Sequence, residues 1–219
     1  MKLIENELRA ILTTKLMSAK GTALNTKTNA SGYSIGTKVI NLDTTGTGNV
    51  LAGDKILIAG DTTPYFVNVG NNDVLQGGSI TLLNGLTKAI PAVKTAITVS
   101  QIDTVFNNVE YKPINEIPYQ DARNIEIKKN QKSNNGLYFN YTGIMDIWLY
   151  YPTTSVWQGT KAINDKITAL DKVFDIKKTF TRNNILVYID NAYGNARDDF
   201  DGRFLGLFKV QFRTGVIQK

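Results

Sequence analysis

The feature that most constrains how this chain folds is an abrupt change in composition that begins near residue 22 and reverses near residue 102. Within this stretch Gly, Thr and Asn dominate and charged residues become less frequent. Short β-branched runs alternate there with turn residues, and the runs are 38–42, 55–59, 65–69, 79–82 and 96–99. Short strands at this spacing are typical of a small all-β sandwich or barrel.

The segments that flank this stretch predict a mixture of helices and strands. Apolar residues in 4–16 recur at helical spacing, which predicts an amphipathic helix that ends near Gly21. Beyond Asp103 the apolar pattern predicts four strands, at 124–128, 137–151, 185–189 and 203–213. A second helix is predicted from about Thr160, with Ile163, Ile167, Leu170 and Phe174 on its apolar face and Asn164, Asp165, Lys166, Asp171 and Lys172 mostly facing outward.

The first helix needs a surface on which to bury its apolar stripe, and the later sheet provides one more naturally than a glycine-rich β module does. We therefore predict that residues 1–21 and 103–219 form one discontinuous α+β domain and that 22–102 form an inserted all-β domain. The predicted fold class is α+β: a mostly antiparallel sheet with two helices on one face, plus an inserted small all-β domain.

The absence of two residue types limits the chemistry of the chain, because it contains no histidine and no cysteine. Histidine is the usual general base of hydrolases and a common metal ligand, and cysteine supplies thiolate nucleophiles and zinc ligands. Catalysis would have to rest on carboxylates, Lys, Tyr or a bound cofactor. The sequence therefore favours a protein that is not an enzyme and that carries no metal and no cofactor.

The charge pattern also narrows the expected partners. The formal net charge is +6, but Lys and Arg are scattered, and the densest pairs, Lys128–Lys129 and Lys177–Lys178, belong to no basic stripe. We expect no sequence-specific recognition of nucleic acid. The start of the chain lacks a signal-peptide pattern, and no apolar run approaches the roughly 18 residues that cross a bilayer, so we expect no membrane partner and assembly in a cytoplasm.

Two motifs invite a ligand-binding interpretation but depart from the required pattern. In the glycine-rich stretch 46–53, Leu51 stands where a dinucleotide fingerprint needs glycine. In the acidic stretch 198–202, alignment with a calcium loop puts Arg197 and Phe208 at positions that need carboxylates. We interpret the first as a β-turn and the second as a hairpin tip.

Two further groups of residues leave alternatives open. Asp146 and Asp190 could act together as acid and base. Four aromatic residues could line a sugar site, although core and interface positions are the more common use of such side chains: Trp148, Trp157, Tyr150 and Tyr151. The sequence does not place either group in a single cleft.

The stretch 136–152, GLYFNYTGIMDIWLYYP, is similar to the aromatic strand ending in proline that precedes a helix in the tail terminator (tail completion) proteins of long-tailed bacteriophages. The preceding 117–119 and the closing 210–213 resemble the same pattern, so the resemblance covers 1–20 and about 103–219. The stretch 22–102 resembles the β domains that decorate many phage capsid and tail proteins.

The resemblance implies a structural virion protein of the tail or neck. Such a protein is expected to form a ring, most often a hexamer, at the head-proximal end of the tail tube. Its implied partners are further copies of itself, the tail tube protein and the head-completion (stopper) protein, and the ring would end tube assembly. The alternatives are another neck or tail-tube ring protein and, in a different class, a carbohydrate-binding module.

The candidate interface lies between the two closing strands, where 191–202 exceed the two to five residues usual for a hairpin loop. Aromatic and Arg residues anchor interfaces more often than other types do. The sequence therefore predicts a protruding binding loop, and the candidate interface residues in and beside it are Tyr193, Arg197, Asp198, Asp199, Phe200, Asp201 and Arg203.

Overall fold

The computed structural model describes residues 2–106, 117–129, 141–152, 155–200 and 203–216, which form an α+β fold of two helices and two sheets. The helices are α1 (Lys2–Leu16) and α2 (Val156–Val173), and a single 3-10 turn spans Val74–Gln76. The strands are β1 (Val39–Asn41), β2 (Lys55–Ile58), β3 (Tyr65–Val69), β4 (Ser79–Leu82), β5 (Ile97–Ser100), β6 (Asp103–Val105), β7 (Tyr119–Lys129), β8 (Tyr141–Pro152), β9 (Thr179–Arg182), β10 (Ile185–Phe200) and β11 (Arg203–Val216).

The glycine-rich stretch forms the smaller sheet, which is antiparallel and has the order β1-β4-β3-β2-β5. All five strands predicted there are confirmed to within two residues. Alternate side chains along β2 and β4 point into one core, as Ile56, Ile58, Ile80 and Leu82 illustrate. At the turn before β2, Gly53 has a φ of +81°, a conformation that side chains with a Cβ rarely adopt.

The larger sheet has the order β6-β7-β8-β11-β10-β9 and curls into a half-barrel. Neighbouring strands are antiparallel except for the short pair β6 and β7, which is parallel. The sequence pattern did not predict β6 or β9, because each has only three or four residues and no clear alternation. The predicted fold class is confirmed.

Both helices pack on one face of the larger sheet. Leu8, Leu12 and Leu16 of α1 are fully buried in the same core as Ile163 and Leu170 of α2. Helix α2 begins at Val156, four residues before the predicted start, with Ser155 in the extended conformation at its N-cap. The outward position predicted for Lys166 is wrong: its side chain is buried, because the smaller sheet covers that side of α2.

The two cores touch along a partly polar contact. Ala52, from the stretch 22–102, is fully buried in the core of the larger sheet. The two ends of that stretch lie close together, since Lys20 Nζ donates a hydrogen bond to Val99 O at 2.9 Å and Gln101 Nε2 to Leu16 O at 3.4 Å. Adjacent ends and separate cores support an inserted domain, which stays a prediction.

Candidate functional site

Six of the seven candidate interface residues, all but Asp201, lie on strands rather than on the predicted loop. Asn191 to Phe200 continue β10 and pair with β11, from Asn191 opposite Gln211 to Phe200 opposite Arg203. The loop prediction was wrong because Asn, Gly and Asp favour turns locally, whereas the backbone here is held by hydrogen bonding to a strand whose own apolar face is buried. The site is therefore a long β10–β11 hairpin.

The structure describes the side chains of only some of these candidates. Tyr193 is 46% exposed, on the sheet face opposite the helices, and Arg203 is partly exposed at the start of β11. Residues 197–200 have described backbones within β10 and undescribed side chains. Asp201 lies outside the described residues. The interface assignment of all seven residues stays a prediction.

The hairpin rests on α2 through two glycines. A Cβ at Gly194 would lie 2.8 Å from Ile167 Cγ2, and a Cβ at Gly206 would lie 2.5 Å from Ile163 Cγ2. Real Cβ atoms essentially never approach so closely, so both positions need glycine for α2 to reach the sheet. This contact holds the middle of β10 against the body of the protein.

Two register shifts divide β10 into segments. One falls between Ile189 and Asn191, and the other between Arg197 and Phe200. Such bulges bend a strand and often stand beside functional surfaces. Between them, residues 191–196 form a regular ladder with β11.

The sheet face opposite the helices carries paired charges and aromatic rings. Asp146 forms an ion pair with Lys209 at 3.4 Å, and Asp190 forms one with Arg213 at 2.7 Å. The two carboxylates proposed above as an acid and base are thus matched to different cations. The guanidinium of Arg213 also lies 4.7 Å from the centre of the Tyr188 ring.

The aromatic residues considered for a sugar site occupy different environments. Trp157 is 67% exposed near the start of α2, whereas Tyr151 is buried between the two cores. Tyr150 lies on the other face of β8 and stacks on Tyr119 with ring centres 4.2 Å apart. Trp148 lies two residues from Tyr150 on the same face of β8, with the guanidinium of Arg123 5.4 Å from the centre of its ring. The four residues therefore do not form one platform.

The glycine-rich stretch 46–53 is confirmed as connecting structure between strands. It forms bridges from Thr47 to Leu24 and from Val50 to Asn71, and the element that follows it is strand β2 rather than a helix whose N-terminus could bind a phosphate. A Cβ at Gly48 would lie 2.5 Å from Thr22 O, so this glycine permits close backbone packing.

A buried ion pair joins the two cores, and sequence analysis missed it. Lys166 Nζ lies 2.7 Å from Asp54 Oδ1, and both side chains are almost fully buried. Asp54 Oδ2 also accepts hydrogen bonds from the backbone N–H groups of Gly21 at 3.0 Å and Leu51 at 2.8 Å. The partners are 112 residues apart, so no local pattern could have revealed the pair.

Tyr151 extends this polar contact. Its hydroxyl donates a hydrogen bond to Val67 O at 2.5 Å, which links β8 to the smaller sheet. Burial raises the pKa of Tyr151 far above its ordinary value, and the negative charge of Asp54 adds to the rise. The phenol therefore stays a neutral donor. With the ion pair, it fixes the orientation of the smaller sheet on the larger one.

The described residues contain neither a metal-ligand cluster nor a membrane-spanning helix. No group of three or more Asp, Glu, His or Cys residues in the described ranges is arranged to hold a metal ion. Neither described helix is both long and apolar enough to cross a membrane.

Comparison with known proteins leaves the family of the chain open. The sequence matches no protein-family model, and it matches no curated protein.

Proposed function

We propose that this protein is a structural subunit of a bacteriophage tail that forms a ring at the head-proximal end of the tail tube. In this role it ends tube assembly and joins the tube to the head-completion complex. The tail location rests on the sequence resemblance described above. The ring rests on the geometry of the β10–β11 hairpin.

One observation carries the proposal: the strand β10 extends far beyond its outer neighbour. Strand β9 pairs only with residues 185–188 of the 16-residue strand β10. The remaining outer edge offers backbone donors and acceptors to another chain. A subunit that presents such an acceptor surface, and a different surface to the next copy, assembles head to tail, and this assembly is a ring where the rotation between copies closes.

The rest of the molecule suits a rigid building block. The buried Asp54–Lys166 pair and the Tyr151 hydrogen bond fix the smaller sheet at a defined angle to the larger one. A fixed angle lets every copy in a ring present its smaller sheet identically. The smaller sheet is then a decoration that projects from the ring toward a neighbouring tail or head component.

The test is to purify the protein and measure its assembly state by light scattering and negative-stain electron microscopy. We expect closed rings, hexameric if the resemblance holds, that bind tail tubes in a pull-down and stop their elongation. A protein that stays monomeric at high concentration and in the presence of tubes would contradict the proposal. So would turnover of glycans, peptides or nucleic acid that disappears when Asp146 or Asp190 is replaced.

A further inference from the structure

The edge strands of the smaller sheet are covered by another segment of the chain, whereas those of the larger sheet are covered only in part. In the smaller sheet, the segment 26–29 bridges the edges: Ile97 N of β5 donates to Thr26 O at 2.8 Å, and Asn29 N donates to Asn41 O of β1 at 2.8 Å. Exposed edges invite pairing with other chains, and natural proteins usually cover or disrupt them. The segment 26–29 therefore covers both edge strands of the smaller sheet, β1 and β5.

The outer edge of β10 lacks such protection. Backbone hydrogen bonds from Lys177 N to Ile189 O and from Ile189 N to Lys178 O mark the end of its coverage. Beyond this point, the described chain places no strand or bridge on the outer side of 191–196.

The sequence of this edge, Asn-Ala-Tyr-Gly-Asn-Ala, contains no charged residue and no proline. Those are the residues that commonly block strand addition, and the bulges that could also do so lie outside 191–196. Six residues of strand extend about 20 Å. The ladder to β11 and the contact of Gly194 with α2 hold this length of strand in place, which lowers the entropy cost of docking.

The same sheet has a second uncovered edge, which differs from the first because it carries Glu126, Lys128 and Lys129 and has a register shift between Arg123 and Glu126. Strand β6 pairs only with Tyr119–Asp121 of β7, although β7 continues to Lys129. Among the residues that the structure describes, no strand lies on the outer side of 124–129. Each copy thus carries one such edge at each side of its larger sheet.

The directions of these two edges are compatible. Three antiparallel steps lead from β7 through β8 and β11 to β10, so β7 and β10 run in opposite directions. A neighbouring copy in the same orientation would place its β7 antiparallel to β10. The alternation of the sheet then continues across the contact.

The short edge strands are also placed so that they do not collide. The pairings across β11 and β8 place Arg197 of β10 in the same row of the sheet as Tyr119 of β7. They place Val187 of β10 in the same row as Lys129 of β7. Strand β9 therefore covers one end of its edge, and β6 covers the opposite end of the other edge. If the neighbouring copy is shifted along the strands by about four residues, its uncovered 124–129 lies beside 191–196. Closed barrels contain a shift of this kind, because their strands are tilted.

We propose that 191–196 of one copy pair, as an added antiparallel strand, with 124–129 of the next copy. This pairing rests on the proposed ring and specifies how its subunits join. Each copy contributes its β10 edge to one neighbour and its β7 edge to the other, so the contact is heterologous, and it closes into a ring where the rotation between copies divides a full turn. The larger sheets then form one continuous wall.

The faces of the two strands restrict the register. Tyr193 and Asn195 alternate with Gly194, which faces α2, so they belong to the opposite face. Glu126 and Lys128 line a cleft of about 250 Å³ on that same opposite face. Directly opposed residues of two paired strands lie on one face, and 191–196 overlaps 124–129 almost fully only when Glu126 lies near residue 194. Glu126 therefore lies opposite either Tyr193 or Asn195.

The test uses disulfide trapping. The protein has no native cysteine, so every disulfide must join the introduced residues. Two double variants are oxidised under mild conditions: Glu126→Cys with Asn195→Cys, and Glu126→Cys with Tyr193→Cys. Within one chain β7 and β10 are three strand spacings apart, about 14 Å, so these cysteines cannot form a disulfide in the same copy. We expect at least one double variant to give a ladder of linked multimers on a non-reducing gel, ending at the size of the ring.

Light scattering on the unoxidised protein separates the two hypotheses. Rings that form normally but yield no ladder from either double variant would overturn the edge pairing and leave the ring proposal standing. Monomers in every condition would overturn both. Dimers from Asn195→Cys or Glu126→Cys alone would show that like edges pair symmetrically, which also refutes the head-to-tail contact.

Discussion

The buried Asp54–Lys166 pair allows a sharp test of how the two cores are held together. Replacing Lys166 by Met keeps most of the side-chain volume but removes the ammonium group. The carboxylate of Asp54 then remains buried with only its two backbone donors, Gly21 and Leu51. Removing one partner of a buried ion pair costs about 3–5 kcal/mol.

Because Gly21 and Leu51 still donate to Asp54, we expect Lys166→Met to lower the free energy of unfolding by about 3 kcal/mol, the lower limit of this range. For a chain of this length, that corresponds to a fall in Tm of about 6–12 °C. Replacing Asp54 by Leu should cost more. It leaves Lys166 without a described acceptor and also orphans two backbone N–H groups, each of which adds about 1–3 kcal/mol.

The assay is chemical denaturation followed by circular dichroism, with Lys161→Met as the matched control on the same helix. Lys161 pairs with Asp165 at 2.8 Å but is partly exposed, so its loss should cost no more than about 1 kcal/mol. A double variant, Lys166→Met with Asp54→Asn, should lose less stability than the sum of its single changes. Equal and small effects at Lys166 and Lys161 would refute the reasoning.

Three further predictions concern the inserted stretch, a titrating carboxylate and the hairpin. Replacing 22–102 by a short Gly/Ser linker should leave a cooperatively folding core, because the ends of the stretch are adjacent; loss of a thermal transition in calorimetry would contradict the domain division. The hydrogen bond from Tyr65 lowers the pKa of Asp61, so Asp61→Asn should destabilise the protein at neutral pH. The difference from wild type should begin to shrink as the pH falls below about 4 and should vanish below the lowered pKa of Asp61, and a difference that does not depend on pH in urea titrations would exclude this origin. Arg197→Ala with Phe200→Ala should leave the monomer folded but weaken ring formation or tube attachment, measured by light scattering and pull-down, and unchanged assembly would place the interface elsewhere.

The fold class and most elements could be predicted from the sequence alone. The helical spacing of Leu8, Ile11, Leu12 and Leu16 identified α1. A two-residue alternation identified β11, and its members are Phe204, Gly206, Phe208, Val210 and Phe212. These signals are local, because a residue's position in a helix or strand decides which neighbours share its face. The change in composition near residue 22 is also a local signal, and it marked the start of the smaller sheet.

The parts that could not be predicted depend on contacts between distant residues. Asn191–Phe200 have the composition of a turn, yet β11 provides a partner for their backbone and makes them a strand. Lys166 follows the pattern of an exposed helical residue, yet the smaller sheet buries it against Asp54. In both cases contacts with distant residues override the local preference: backbone hydrogen bonds to β11 hold 191–200 as a strand, and the ion pair with Asp54 offsets the cost of burying Lys166.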